Sequence, residues 1–381
     1  MKQFILILLG LMLIGATYSQ EEEKLTVKPS GRILMDAGAF HADHYNDKFN
    51  DGVAIPDVRI GFGAQYGKWK SKVDVGFAYA KISLKDIFME YVFNKENLLR
   101  GGYFVHQFGL QSATSSSFKI TMEEPASNQA FFNSRLVGLM FLHNKEKFFG
   151  TLSLFAESEA MKQSTDKLGN EGYGMMSRLV YRPLRDPGKI FHIGLSGAFE
   201  SPRYNSTPEK NHRSYALKSE FPTRIARVTA QQADITEAKM LYKFTPEVTA
   251  AIGRLAIESQ YFFVTVNREK DLPRYQASGA YALLRGLVKG NGYVYSDGDS
   301  GIGTPAPGSM ELVLGYNYTD LSDHKAQILG GRVNDWSLTF NYYPNKYMIW
   351  RVRGSLTKAT DRAGYDDTHL SLIETRFQVK F

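Results

Sequence analysis

The segment 371–381 reads SLIETRFQVKF, and apolar and polar side chains alternate along it. Ile373, Phe377, Val379 and Phe381 occupy one set of alternate positions, and Glu374, Arg376, Gln378 and Lys380 occupy the other. Because successive side chains of a β-strand point to opposite faces, this spacing predicts a strand with one apolar and one charged face. The sequence ends on an aromatic residue at the last apolar position.

The final segment resembles the closing strand of bacterial outer-membrane β-barrels. In such barrels the apolar face of each strand contacts lipid, and the polar face lines a watery lumen. Upstream, beginning at residues 32–40, strand-like segments follow one another between short polar turns and longer loops, about 18 in all. Because bacterial single-chain barrels have an even number of strands, the sequence predicts an all-β, antiparallel transmembrane barrel of about 16 strands, with about 18 as the alternative.

The composition agrees with a strand-built membrane protein and excludes several other classes. The 381 residues include 22 Tyr, 25 Phe and 34 Gly but no Cys, and the mean hydropathy is −0.30. Without cysteine the chain has no disulfide framework, no thiolate metal site and no lipidated cysteine. The formal charge is +7. Basic proteins often bind nucleic acid, but an exported chain has no routine access to it, so we expect no nucleic-acid partner.

The amino-terminus predicts export. Lys2 precedes an apolar run at residues 4–14, and small residues then lead to Ser19. This is the order of a secretory signal peptide, and the run is shorter than the ~20 residues that span a bilayer. We therefore expect a signal peptide at 1–19, cleaved near Ser19, and a single outer-membrane β-barrel domain at 20–381. A retained membrane anchor is the alternative.

The alternation stops over residues 111–132, a serine-rich stretch that also contains Glu123 and Glu124. Such a long irregular stretch is uncommon in a compact domain, but in a porin it predicts a loop folded into the lumen near residues 109–133. Two interpretations of the paired glutamates are open. They form an acid pair or cation site, or they anchor the loop against an arginine of the barrel wall, with Arg135 as the candidate partner.

Several stretches resemble the phosphate-selective porin O and P family, in its Bacteroidetes-type form. They are, in chain order, 31–36, 58–61 with 66–70, 84–88, 102–104 with 108–110, 115–118 with 122–123, and Arg135 with Gly138, followed by weaker matches at 258–261, 311–316 and 338–344. Each motif is short, and the resemblance rests on their order along nearly the whole chain. It implies a sixteen-stranded, trimeric porin of the outer membrane, with the lipid bilayer and inorganic anions as partners, a basic lumen and no cofactor.

Period-two alternation and the resemblance together assign basic side chains to the lumen. The candidates for an anion pathway are Arg59, Lys72, Arg135, Arg224, Lys239, Arg254, Arg351, Arg353, Arg376 and Lys380. Such side chains at a constriction attract anions across low-dielectric walls, and arginine adds bidentate recognition of phosphate oxygens. A charge on the lipid face would cost about 2–4 kcal/mol at mid-membrane, so any porin directs its charges inward. A mildly basic, solvated lumen without a specific site is therefore the alternative.

These features predict a passive porin rather than an enzyme, in which small anions such as phosphate or polyphosphate diffuse through a lumen lined by Arg and Lys. A structural, adhesin or secretion-associated barrel without an open pore is one alternative, and a barrel hydrolase is another. The hydrolase would need a Ser–His pair near the rim, whereas the eight histidines are scattered. His41 and His44 would point to opposite faces of an extended chain, so we expect no metal site.

Overall fold

The computed structural model describes residues 24–113, 119–132, 135–156, 172–204 and 213–381. The predicted signal peptide at 1–19 lies outside the described residues. The strands are β1 (Thr26–Ala42), β2 (Gly52–Tyr66), β3 (Trp69–Gly76), β4 (Ser83–Val92), β5 (Asn97–Val105), β6 (Arg135–Lys145), β7 (Phe148–Ala156), β8 (Tyr173–Asp186), β9 (Lys189–Glu200), β10 (Arg203–Tyr204), β11 (Arg213–Glu220), β12 (Thr229–Thr236), β13 (Ala238–Ile252), β14 (Leu255–Arg268), β15 (Tyr275–Lys289), β16 (Tyr295–Ser296), β17 (Gly301–Ile302), β18 (Ser309–Asp323), β19 (Ile328–Asn345), β20 (Met348–Arg362) and β21 (Thr368–Lys380). The short helices are α1 (Leu110–Ala113), α2 (Ala126–Phe131) and the 3-10 turns Asn46–Lys48 and Ala78–Ala80.

Sixteen of these strands form a closed antiparallel barrel, which confirms the predicted fold class and the smaller of the two strand counts. The barrel omits β10–β12, which form a separate three-stranded sheet, and β16–β17, which form a two-stranded one. The higher count arose in the region between β9 and β13. Two of the strand-like segments counted in the sequence lie here: 224–229 ends where β12 begins, and 235–244 spans the end of β12 and the start of β13.

Strand β21 has the two faces that its alternation predicts. Glu374 and Arg376 are buried on the inward face, whereas Ile373 and Phe377 are exposed on the outer face. Strand β1 closes the barrel by pairing with β2 on one side and β21 on the other, where Asp36 lies opposite Arg376. Exposed apolar side chains on the outside meet lipid, and closure pairs the edges that would otherwise be left without hydrogen bonds.

The connections at the two ends of the barrel differ in length. At the end where β1 begins and β21 finishes, the connections 67–68, 93–96, 146–147, 187–188, 253–254 and 346–347 are short turns, and only 290–308 is long. Outer-membrane barrels have short periplasmic turns and longer extracellular loops, so we assign this end to the periplasm. Among the described residues, none of the helices has the length and apolar character needed to cross a membrane.

Segments of chain from the extracellular end fill part of the barrel interior. The connection between β5 and β6 packs α2 against the wall, with the Phe131 ring stacked on Phe262 at a centroid separation of 5.9 Å. Strand β12 lies against β19. Phe108 of the β5–β6 connection, Leu217 of β11 and Ile235 of β12 belong to the same buried cluster as wall residues of β13–β15. Over this part of the wall the interior is a packed core rather than open space.

The long periplasmic connection 290–308 also reaches inward. Its β16–β17 hairpin is held by Arg178 on β8, whose guanidinium donates to the carbonyl oxygens of Asp299 at 3.0 Å and Ser300 at 2.9 Å. The Tyr295 hydroxyl lies 2.9 Å from Nδ1 of His192 on β9. The lumen is therefore narrowed by chain segments from both ends.

Candidate functional site

Five basic side chains, which we call the cationic strip, lie near one another around the part of the lumen bounded by β2–β6: Arg59, Lys72, Lys85, Arg135 and Arg224. The first four lie on the wall, and Arg224 comes from the connection between β11 and β12. Lys85 lies within electrostatic range of Arg59, Arg135 and Arg224. The side chains of Lys72 and Arg224 are 38% and 34% exposed, so the strip reaches lumen water.

Lys85 owes its inward orientation to a β-bulge. The β3–β4 register shifts between Val73 and Val75, so Asp74 faces both Lys85 and Asp86. Such a bulge interrupts the alternation and redirects a side chain. The Lys85 side chain lies over Gly76, where an added Cβ would sit 2.5 Å from its Cε. Lys85 forms no salt bridge with any described residue, whereas Arg59, Lys72 and Arg135 each have a carboxylate partner.

Carboxylates hold the other wall cations of the strip in place. Asp86 accepts from Arg135 Nε at 2.7 Å and lies 3.7 Å from Lys72 Nζ. Asp57 contacts Arg59 Nε at 2.9 Å and the Arg32 guanidinium at 2.6 Å. Charge-assisted hydrogen bonds of this kind are about twice as strong as neutral ones, and they fix the orientation of the guanidinium planes.

Three of the predicted pathway residues are instead buried anchors. Arg351, Arg353 and Arg376 are each 2% exposed. Arg351 donates to the Gln378 amide oxygen at 3.1 Å, and Arg353 donates to the Pro222 carbonyl oxygen at 2.9 Å. Arg353 and Arg376 thereby attach inward segments to the wall, whereas the bond of Arg351 to Gln378 joins two neighbouring wall strands.

Arg376 joins the barrel wall to the inward connection. It binds both oxygens of Asp36, at 2.7 and 2.6 Å, and donates to the Met122 carbonyl oxygen at 2.6 Å and to Glu123 Oε1 at 2.5 Å. The second oxygen of Glu123 accepts from Arg224 Nε at 2.8 Å. Glu123 is thus the loop anchor, but the predicted partner Arg135 is wrong, since Arg135 binds Asp86.

Two further candidates do not follow the inward face of a strand. Arg254 occupies the exposed turn between β13 and β14, not the inward face of a strand. Lys239 is exposed beside a register shift between Ala238 and Met240, which breaks the alternation on which its inward assignment relied. Lys380, in contrast, shares the inward face of β21 and is half-buried near the periplasmic end.

The closed sixteen-stranded barrel with a partly filled interior is the architecture of a porin, and a family comparison places the chain more closely. The model of the phosphate-selective porin O and P family matches residues 27–381. The chain belongs to this family. Its fold and family indicate a channel of the outer membrane rather than an enzyme.

Solved porins have the same fold at low sequence identity. The anion-selective porin from Comamonas acidovorans is 10% identical, with a TM-score of 0.59 over 94% of this chain and 100% of that chain. The outer-membrane channel DcaP of Acinetobacter baumannii is 12% identical, with a TM-score of 0.58 over 96% and 100%. OmpT of Vibrio cholerae, in its trimer form, is 10% identical, with a TM-score of 0.56 over 93% and 100%. No curated protein matches the chain.

Sequence reasoning missed several inward cations of this porin. Arg178 and Arg182 are almost fully buried on β8, where they alternate with exposed Leu179 and Tyr181, so the period-two pattern alone could have assigned them. Arg285 binds Glu311 at 2.8 Å on a face otherwise occupied by apolar side chains such as Leu283. That face carries no polar alternation to read, because it lies against packed chain rather than water.

The Glu123 anchor predicts an acid-sensitive contribution to stability. Burial opposes ionisation of Glu123, but Arg224 and Arg376 outweigh it and lower its pKa from 4.5 to about 2. This difference in pKa corresponds to about 3 kcal/mol of stability. The contribution is fully present above the pKa that Glu123 has in the unfolded chain, and it is lost as the pH falls through the pKa of Glu123 in the folded protein. We expect the gap in unfolding free energy between the wild type and Glu123→Gln to be constant above about pH 5 and to shrink toward pH 2.

The measurement is urea unfolding from lipid vesicles at pH 7, 5 and 3, with Glu124→Gln as the neighbouring control. Glu124 pairs with Lys119 at 3.0 Å and its side chain is more exposed than that of Glu123. A wild-type advantage over Glu123→Gln that grows on acidification would contradict the assignment of Glu123 as an ionised anchor.

Gly109 predicts a second effect, at the start of the inward connection. It has φ +82°, its amide donates to Ser196 Oγ at 3.0 Å, and an added Cβ would lie 1.9 Å from Gln260 Nε2. Gly308 has φ +84° and nothing within 4 Å of its Cβ position, so it matches the backbone strain without the clash. We expect Gly308→Ala to cost about 1 kcal/mol and Gly109→Ala about 2–4 kcal/mol in urea unfolding. Equal losses of unfolding free energy in the two variants would show that the close packing of Gly109 against Gln260 contributes nothing to stability.

Proposed function

We propose that this porin favours small anions, with phosphate as the physiological candidate, and that they pass along the cationic strip. The single observation that carries this proposal is Lys85, an inward lysine that forms no salt bridge with a described residue. Three cations, Arg59, Arg135 and Arg224, and one carboxylate, Asp57, lie within electrostatic range of it. A cation that no carboxylate contacts directly adds more positive potential to the lumen than one held in a salt bridge. The anion selectivity of the Comamonas porin supports the proposal by analogy of fold.

The energies involved suit selective but rapid passage. An anion about 4 Å from one such charge gains about 1 kcal/mol in bulk-like water and about 4 kcal/mol at a partly shielded site. A few cations in series would favour anions over cations while keeping each site weak enough to release its ion. Because the carboxylates Asp57, Asp74 and Asp86 are interleaved with the strip, we propose a moderate rather than absolute preference.

We also propose that the functional unit is a homotrimer. The support is the family, together with the trimer form of OmpT from Vibrio cholerae, which has the same fold. Native mass spectrometry of the protein extracted in mild detergent tests this directly. A monomer as the sole species in several detergents would contradict it.

The decisive test of anion passage is single-channel recording of the mature protein in a planar bilayer under a potassium chloride gradient, followed by titration with phosphate. We expect a reversal potential on the anion side and a fall in chloride current as phosphate is added. Anion preference without phosphate block would refute the phosphate assignment and leave a general anion porin. A reversal potential on the cation side would refute both.

The filled interior makes one alternative worth testing in the same experiment. Segments from both ends pack inside the barrel, so a structural, adhesin or secretion-associated barrel with a closed lumen would share these contacts. A silent bilayer, with folding shown by heat-dependent migration in detergent gels, would favour that alternative. The exposed part of the cationic strip favours the open pore.

A further inference from the structure

The periplasmic end of the porin carries a ring of basic residues. In the described part of the chain, each of the seven connections at this end contains or adjoins an exposed Lys or Arg. These residues, which we call the periplasmic collar, are Lys68, Lys95, Lys147, Lys189, Arg254, Lys289 and Lys346. None of them forms a salt bridge with a described residue, so their charge is available to a partner outside the chain.

The collar borders the lipid-facing surface of the barrel. Within two residues of each cation lies an exposed large apolar side chain, namely Trp69, Phe93, Phe148, Phe191, Leu255, Val288 or Tyr347. Several are part of an aromatic belt, in which Trp69 lies 4.9 Å from Tyr91 and Phe148 lies 5.2 Å from Tyr181. Aromatic rings of this kind sit at the headgroup level of a bilayer, and neighbouring lysines extend their charge into the same layer.

One connection at the opposite end of the barrel mixes acidic and basic side chains. In the connection between β1 and β2, Asp43, Asp47 and Asp51 accompany Lys48. Asp43 also binds His369 Nδ1 at 2.6 Å, so part of the charge there is neutralised within the chain. Carboxylates also lie in or beside the periplasmic connections, but Glu96 pairs with Lys145 and Asp297 pairs with Arg185, so the collar cations themselves have no salt bridge among the described residues.

We propose that the periplasmic collar binds the anionic headgroups of phospholipids in the periplasmic leaflet of the outer membrane. A lysine or arginine held at the surface of a bilayer is attracted to acidic lipids, and the attractions of several such residues add. The row of apolar side chains beside the collar fits the acyl region of the same lipids. An acidic soluble partner would match the charges but not this apolar row. The proposal is independent of which ion crosses the pore.

The test uses the mature, full-length porin in detergent micelles doped with phosphatidylglycerol or phosphatidylcholine, and native mass spectrometry counts the retained lipids. In the collar variant, Lys68, Lys95, Lys147, Arg254 and Lys346 are replaced by Gln. The matched control replaces four exposed lysines and one exposed arginine at the other end, namely Lys48, Lys81, Lys270, Arg274 and Lys325. Heat-dependent migration in detergent gels checks that both variants are folded barrels.

We expect the wild type to retain more phosphatidylglycerol than phosphatidylcholine. The collar variant should lose about ten-fold or more of that preference, and the control variant should stay within about two-fold of the wild type. A wild type without lipid preference, or equal losses in the two variants, would overturn the proposal. So would collar-dependent binding of a poly-glutamate peptide without any lipid preference, which would indicate an acidic protein partner.

Discussion

Replacing Arg376 with methionine will raise the single-channel conductance of this porin and lower its stability by about 3–5 kcal/mol, the usual cost of removing one partner of a buried ion pair. The arginine is held between Asp36 on β1 and Glu123 on the inward connection, and it also binds the Met122 carbonyl. Without it, two buried carboxylates face each other and the connection loses one of its attachments to the wall, while the contacts of Gly109 and Phe131 remain. We therefore expect the connection to move and the lumen to widen.

The measurements for Arg376→Met are conductance in a planar bilayer and urea unfolding from lipid vesicles. Adding Asp36→Asn and Glu123→Gln removes the stranded charges, and we expect this triple variant to regain much of the lost stability while its conductance stays high. It also keeps the test valid if the single variant does not fold. Lys380→Met, on the same strand and the same face but half-buried, is the control and should change stability little. An unchanged conductance in the triple variant would show that Arg376 does not hold the connection in the lumen.

Reversing the charge of Lys85 will have the largest effect on selectivity. For Lys85→Glu we expect the anion-to-cation permeability ratio to fall by at least about thirty-fold, since the substitution changes two unit charges and each one beside the ion path is worth about 1 kcal/mol in a water-like lumen. Lys85→Met should give about half of this shift on a logarithmic scale, because it removes one charge rather than two. The measurement is the reversal potential under a salt gradient.

The matched control is Lys48→Glu, which makes the same change of charge in an extracellular connection. Charges are screened over about 10 Å at 0.1 M salt, so a substitution at a distant surface should leave the reversal potential nearly unchanged. The effect of the Lys85 substitution should grow as the salt concentration is lowered, because screening weakens. Equal shifts in the two variants would mean that selectivity follows net charge rather than the cationic strip.

The fold of this porin could be derived from local sequence because strand alternation is a local property. Segment 371–381 already shows one face for lipid and one for the interior, and the observed burial of Glu374 and Arg376 against exposed Ile373 and Phe377 follows it. The cost of placing charge against lipid is large enough to enforce that pattern on strand after strand. The structure confirms sixteen strands in antiparallel order, and the family comparison confirms the porin family, which the order of short motifs had predicted.

Which inward residues meet water was decided only by tertiary structure. The side chains of Arg376 and Lys72 both lie on the inward faces of their strands. Arg376 is nevertheless buried, because Glu123, 253 residues away along the chain, packs over it. A shift in the pairing register turns the Lys85 side chain inward, and another shift interrupts the alternation at Lys239. The position of such a shift depends on the neighbouring strand as well as on the local sequence. Alternation fixes the side of a wall on which a residue lies. Contacts between distant parts of the chain fix whether that side is lumen or core.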